Sequence, residues 1–251
     1  MQNIFNHFDQ VGIAVKDIEK TITLMNNIFT WKFSEIILFE PTAIYKEEEI
    51  AIKAKLAYCF VNGFKIELIE PISNKSIWQD YLAYKGDGFQ HFMIDVDNFE
   101  EVKKILEANG GKIVQSGKAL KFKGAYWTHF DFIDTLGLCL EIINCLEVGK
   151  RYLTEVSPKG NGLFENLIKV GISTEFCEPT TDKNTWQKYF NNTDKKIHYL
   201  LFEVDQFELA KEKLEKNNIP IVQDGLSKEY KKWGYFDATK LLGYYIALLS
   251  R

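Results

Sequence analysis

No apolar run in the sequence approaches the roughly 18–20 residues of a membrane span, so no membrane-crossing helix is expected. There is no basic surplus either. The formal net charge is −4, which argues against nucleic acid or an anionic membrane as the main partner. Cysteine is sparse: Cys59, Cys139, Cys145 and Cys177 have no CxxC spacing, and two of them lie inside apolar strand patterns. Buried, reduced thiols are therefore expected rather than disulfides. G-x-G-x-x-G, G-x-x-x-x-G-K-[ST] and G-x-S-x-G are all missing, which removes motif support for a dinucleotide, P-loop or serine-hydrolase reading. The opening residues Met1–His7 are neither basic nor continuously apolar, so no targeting segment is read there and the chain reads as cytoplasmic.

What is present is globular. In 251 residues, 46% are apolar and 14% aromatic, enough for one large domain or two small ones. The stretch Gly86–Asp97 sets the pattern. Phe92, Ile94 and Val96 alternate with His91, Met93 and Asp95, as on a strand with one apolar face. His91, opposite that face, is placed to look into a cleft. Gln10, Glu67 and Glu141 occupy comparable strand contexts, and four such residues on four strands are what a divalent-metal site needs. His7 should face away from Gln10, and His129 could line the cleft but, beside aromatics, is expected to pack. Lys53, Lys55 and Lys65 could meet the phosphates of a coenzyme A thioester, but solvated strand faces are the expected reading.

In chain order, a strand at Val11–Val15 precedes a helix capped by Asp17, with an apolar stripe of Ile18, Ile22, Met25 and Phe29. Trp31–Phe39 reads as a strand, Pro41 and the acidic run Glu47–Glu49 as a break, then Ala51–Val61 and Phe64–Glu70 as strands about an Asn62-Gly63 turn. A short helix is expected at Ser76–Tyr84. The β-α-β-β-β order then recurs: His91–Val96, a helix capped at Asp97 with Phe99, Val102 and Leu106 inward and stopped at Asn109-Gly110-Gly111, then strands at Lys112–Gln115, Tyr126–Ile133 and Leu138–Ile143.

Beyond a polar stretch the chain repeats itself. An offset of 108 carries Glu67, Trp78, Asp97 and Leu106 onto Glu175, Trp186, Asp205 and Leu214, and Ile113-Val114-Gln115 onto Ile221-Val222-Gln223. After Gly225 the offset is 106, pairing Trp127 with Trp233 and Gly137 with Gly243. So many matches in one register mean an internal duplication. The expected organisation is a domain of two β-α-β-β-β modules at residues 1–145, a linker at 146–162, and a partial copy of about 55–145 at 163–251. That copy has lost the polar set: His91 maps to Tyr199 and Glu141 to Ala247, while His198 falls one residue out of step.

Paired β-α-β-β-β units with polar residues on corresponding strands resemble the vicinal oxygen chelate superfamily, which includes glyoxalase I, methylmalonyl-CoA epimerase, extradiol dioxygenases and bleomycin-resistance proteins. The phrases Asp9–Val15, Lys65–Pro71 and Lys85–His91 are similar to methylmalonyl-CoA epimerase. The resemblance implies an α+β, glyoxalase-like fold of paired modules with a partial internal duplication. It places metal ligands at Gln10, Glu67, His91 and Glu141. Epimerases usually carry histidine at the first position, so this Gln/Glu/His/Glu set is closer to the eukaryotic type of glyoxalase I.

Two carboxylates, an imidazole and an amide oxygen suit Zn, Ni, Co, Mn or Mg and leave two octahedral positions for vicinal substrate oxygens. The implied chemistry is proton abstraction next to a carbonyl, through a metal-stabilised enolate, with Glu141 as first choice of base and Glu67 facing it. Return of the proton to the other face makes an epimerase; return to the neighbouring carbon of a hemithioacetal makes a lyase. The implied partner is a small-molecule substrate, an acyl thioester in the epimerase case, on a monomer or weak homodimer. The alternative is a non-catalytic binding protein of the resistance type.

Overall fold

The computed structural model describes residues 9–61, 64–120, 123–145, 199–227 and 231–250. In order, the elements are β1 (Gln10–Ala14), α1 (Ile18–Phe29), β2 (Ile37–Phe39), β3 (Thr42–Tyr45), β4 (Glu48–Ala51), β5 (Ala54–Val61), β6 (Phe64–Pro71) and α2 (Ile77–Lys85). Then come β7 (Gly88–Asp95), α3 (Phe99–Ala108), β8 (Lys112–Lys118), β9 (Tyr126–Phe132), α4 (Ile133–Leu136) and β10 (Leu138–Ile143). After a gap follow β11 (Tyr199–Glu203), α5 (Phe207–Lys216), β12 (Ile221–Gly225), β13 (Lys232–Asp237), α6 (Thr239–Leu242) and β14 (Tyr245–Ser250). The class is α+β, as expected. No helix among the described residues is long and apolar enough to cross a membrane.

The chain forms two compact units, one of residues 1–18 and 33–157, the other of 19–32 and 158–251. The first holds a ten-stranded sheet in the order β2-β5-β6-β1-β7-β10-β9-β8-β3-β4. Within it, β1 runs parallel to β6 and β7 parallel to β10, while β1 and β7 meet antiparallel. Each module thus closes its first strand on its last, and the two modules join through their first strands. One face is covered by α3, whose Val102 and Leu106 pack on Ile94, Phe130 and Ile142. The other face curls around a cleft, floored at one end by Met93, Trp78, Trp127 and Ile143.

Several local expectations are corrected. The strand expected at Trp31–Phe39 is confined to Ile37–Phe39; Trp31 is buried instead against Phe29, ring centroids 4.4 Å apart. Where Pro41 and the acidic run suggested a break, β3 and β4 form a hairpin. Its turn residues Lys46 and Glu47 both have positive φ (48° and 70°), the signature of the type I′ turns that match strand twist. The turn is tied to α2 by Asp80, which accepts from Tyr45 Oη and pairs with Lys46 Nζ, both at 2.8 Å. The N-cap of α3 is Asn98 rather than Asp97: its Oδ1 accepts from the Glu101 N–H at 3.3 Å. At α1, Glu70 Oε2 accepts from the Ile18 N–H at 2.8 Å.

Cys59, Cys139 and Cys145 are buried free thiols, and burial pushes each thiol pKa up, that of Cys145 to about 12. Cys177 lies outside the described residues, as do His7, the Asn62-Gly63 turn, the stretch 146–162, Glu175, Trp186 and His198.

In the second unit, β11-β14-β13-β12 form a four-stranded sheet whose order matches β7-β10-β9-β8. Helix α5 falls 108 residues after α3, and α6 falls 106 after α4. Gly137 and Gly243 close α4 and α6 in the same left-handed conformation, φ 77° and 79°. Helix α1, apart from Ile18, belongs to this unit. There Phe29 stacks on Phe202 with centroids 5.3 Å apart.

Candidate functional site

Strand register gathers the polar residues. Gly12 pairs with Glu67 on β6 and with His91 on β7, and Gln10 with Lys65 and Met93. On the other side Cys139 pairs with His91, and Glu141 with Met93 and His129. Partners across a ladder, and residues two apart along a strand, share a face. Gln10, Lys65, Glu67, His91, His129 and Glu141 therefore all line one cleft.

The contacts form a chain. Gln10 Nε2 lies 2.9 Å from Glu67 Oε2 and 3.0 Å from His91 Nε2. His91 Nε2 lies 3.1 Å from Glu141 Oε2, and His129 Nε2 3.5 Å from the same oxygen. Behind His91, its Nδ1 meets Gln90 Oε1 at 2.7 Å. Gln90 is fully buried. In the tautomer that donates Nδ1–H to that amide oxygen, Nε2 carries a lone pair toward Glu141. An ionised Glu141 also offers only lone pairs. Two acceptors at this distance need a proton or a cation between them.

The donor set fits a divalent cation. Adjacent donors about 2.1 Å from an ion in octahedral array stand about 3.0 Å apart, and the three successive contacts measure 2.9, 3.0 and 3.1 Å. A half-turn of the Gln10 amide exchanges Nε2 for Oε1 and puts an oxygen at that corner. The donation of Nδ1–H to Gln90 is the outer support that fixes ring orientation in metal-binding histidines.

Sequence reasoning placed His129 in packing. It does touch aromatics, meeting the rings of Trp127 and Trp78 edge-on, but it also faces the site. Its centroid is 4.9 Å from that of His91, and neither ring nitrogen has a hydrogen-bond partner. Burial, then the charge of His91, holds its pKa well below the ordinary histidine value, so the ring is neutral with a lone pair to offer. Ligand atoms of His91, His129 and Glu141 all lie within 4.8 Å of one another, a grouping able to hold a metal; Glu67 joins through Gln10. The signal was in the sequence: His129 stands two residues from the inward Trp127.

Lys65 is a second correction. It is 7% exposed, lines the cleft, and holds Nζ 3.4 Å from Glu67 Oε1 and 4.7 Å from the Tyr58 ring centroid. Lys53 and Lys55 do sit in partly exposed pairs, with Glu40 and Glu70. The cleft encloses about 410 Å3, and most of its wall is apolar: Phe39, Leu56, Phe60, Trp78, Leu120 and Trp127. In the second unit, Tyr199 and Ala247 stand at the positions of His91 and Glu141, and no comparable ligand group occurs among its described residues.

Comparison with known proteins agrees with this architecture. Residues 9–128 match the model of the Glyoxalase/Bleomycin resistance protein/Dioxygenase superfamily. A hypothetical protein from Bacillus halodurans C-125 is similar at 22% identity and TM-score 0.43, over 61% of this chain and 99% of that one. Methylmalonyl-CoA epimerase from Mycobacterium tuberculosis is similar at 18% identity and TM-score 0.43, over 57% and 91%. A triple mutant of 4-hydroxymandelate synthase from Streptomyces coelicolor covers 97% of this chain and 92% of its own at TM-score 0.57 and 8% identity, a likeness of fold alone. No curated protein matches the chain. Residues 9–128 are thus a domain of the Glyoxalase/Bleomycin resistance protein/Dioxygenase superfamily.

Proposed function

We propose that this protein is a divalent-metal-dependent enzyme that abstracts a proton next to a carbonyl, as an isomerase or epimerase of the methylmalonyl-CoA epimerase type or a lyase of the glyoxalase I type. Gln10, Glu67, His91 and Glu141 are the proposed ligands, with His129 beside them. The observation that carries this is the convergence of donor atoms in one cleft: His91 Nε2 lies 3.0 Å from Gln10 Nε2 and 3.1 Å from Glu141 Oε2, with Gln90 holding the other ring nitrogen. Two imidazoles close to the site favour Zn, Ni or Co over Mg.

When bound, the ion supplies positive charge to offset an oxyanion developing on a substrate carbonyl. Glu141 takes the proton from the adjacent carbon and returns it, to the opposite face in an epimerase or to the neighbouring carbon in an isomerase or lyase. Glu67 faces it across the cleft. The buried walls exclude water from the carbanion formed in between. A second reading is a non-catalytic protein that sequesters a small molecule, which the apolar wall would also serve.

Metal content separates the two. The enzyme reading expects about one equivalent of divalent metal per chain, lost in His91→Ala. A protein purified without chelator that is metal-free, and takes up no added Ni, Co or Zn, would leave the sequestering role.

A further inference from the structure

The second unit keeps the strand layout of the first cleft and changes its side chains. At the repeat offsets, Tyr199, Tyr235 and Ala247 stand where His91, His129 and Glu141 stand in the first unit, while Trp233 and Asp237 repeat Trp127 and Asp131. Register puts them on one face of the four-stranded sheet. Tyr199 and Asp237 flank Tyr245, Tyr235 pairs with Ala247, and Trp233 lies one row further on. We propose that this face binds an organic cation of the quaternary ammonium type, held by the rings of Tyr199, Tyr235 and Trp233.

The rings are the first ground. Ala247 carries only a methyl group where Glu141 carries a carboxylate, so the tyrosines on either side can approach each other. Their centroids are 5.6 Å apart at 79°, and Trp233 stands 5.7 Å from Tyr235 at 62°. Rings set this steeply form a corner rather than a stack. An aromatic face is electron-rich, and a cation is drawn to it, to tryptophan most and tyrosine next.

Exposure is the second ground. Tyr199, Trp233 and Tyr235 are all partly exposed, whereas His91, Trp127 and His129 are 1%, 5% and 2% exposed. On the other face of the same sheet Leu200, Phe202, Phe236 and Ile246 are buried. The core of this unit therefore lies on that side, and the aromatic corner stays within reach of a ligand.

Charge selects the occupant. Asp237 lies on the aromatic face, its Oδ1 accepting from the Thr239 N–H at 2.9 Å and hydroxyl at 2.5 Å. No residue of β11 to β14 on this face is basic. Lys232, on the opposite side, lies 5.0 Å from the Phe207 ring centroid. An anion would be repelled by Asp237 and by the ring faces. A methylated ammonium offers apolar surface to the rings and charge to their faces together.

The test uses the full chain with choline, and with 3,3-dimethylbutan-1-ol as the same shape without the charge. Calorimetry should show one choline site per chain, with the alcohol bound at least roughly tenfold more weakly. Tyr235→Leu and Trp233→Leu should each weaken choline about fivefold, and Tyr235→Phe, which keeps a ring, should restore most of it. Metal content should not change. Asp237→Asn can still accept from Thr239, so it folds whatever becomes of the leucine variants; it should weaken choline roughly two- to threefold and leave the alcohol unaffected.

Equal affinity for choline and the alcohol, or no binding of choline by the unaltered chain, would overturn the proposal. So would a choline affinity unmoved by Tyr235→Leu or by Asp237→Asn, which would place the cation on other aromatic residues, such as the walls of the first cleft.

Discussion

Gly12 on β1 lies opposite His91 on β7, and the imidazole occupies the space where a side chain on Gly12 would begin. A Cβ built there falls on the ring, nearest to Cε1. His91 is 1% exposed and held from behind by Gln90, so it has no free direction in which to yield. Glycine is needed here for close approach rather than for an unusual backbone angle. Gly12→Ala should push His91 off Gln10 and Glu141, costing about 1–3 kcal/mol through overpacking and at least about tenfold in metal affinity. Thermal melts and a metal titration check both. Unchanged values would mean that the ring does not depend on β1.

Gln90 touches no proposed substrate position, yet its amide oxygen at 2.7 Å sets which nitrogen of His91 faces the cleft. Gln90→Leu should lower metal affinity by roughly 10–100-fold, as loss of outer-shell partners does elsewhere. Gln90→Glu, which can still accept the Nδ1 proton, should keep most of it. Competition with a chromophoric chelator reads both variants. Equal affinities would show that the His91 tautomer is set by something else.

Much of this site was legible because strands alternate. The two-residue period placed His91 opposite Phe92 and Ile94, and the resemblance in the phrases around Gln10 and Glu67 put both among the implied ligands. His129 and Lys65 were misjudged because alternation tells which face a residue takes but not which residue stands across the ladder. His129 lies directly opposite Glu141, 3.5 Å from its carboxylate, and Lys65 directly opposite Gln10. The β3–β4 hairpin was missed for a different reason: its turn is Lys46-Glu47 rather than an Asn-Gly pair, and it is held by the distant Asp80, which no local pattern announces.

His129 makes stability depend on pH. Its folded pKa is depressed, by burial first and the His91 charge second. Unfolded, it titrates near the ordinary value of about 6.5. Above that pH both states are neutral and folding is unpenalised. Below it the unfolded chain binds a proton that the folded chain refuses, and stability falls by up to about 1.4 kcal/mol per pH unit. Denaturant melts of metal-free protein between pH 7.5 and 5.5 should show the decline, and His129→Phe should make it shallower by one proton. Identical slopes would mean that His129 is protonated in the folded state.

The last prediction concerns why the second half is present. We propose that residues 163–251 are a partial copy of about 55–145, without metal chemistry of its own. Its value lies in what it covers. Met25, Ile28 and Phe29 of α1 are fully buried, and Trp31 nearly so. In the second unit Phe29 stacks on Phe202, and Trp31 sits 6.0 Å from the same ring. A chain ending at about Lys150 would keep α1 but lose Phe202, leaving two large aromatic side chains without their partner. Covering them again requires another molecule, so the shortened protein should dimerise or aggregate while still taking up metal through Gln10, Glu67, His91 and Glu141. Phe202→Ala in the full chain separates cover from length: it should destabilise the second unit by about 3–5 kcal/mol and leave metal content unchanged. Sedimentation velocity on the shortened chain, with denaturant melts of the point variant, reads both. A stable, soluble monomer of residues 1–150 would show that the second half is not kept as cover.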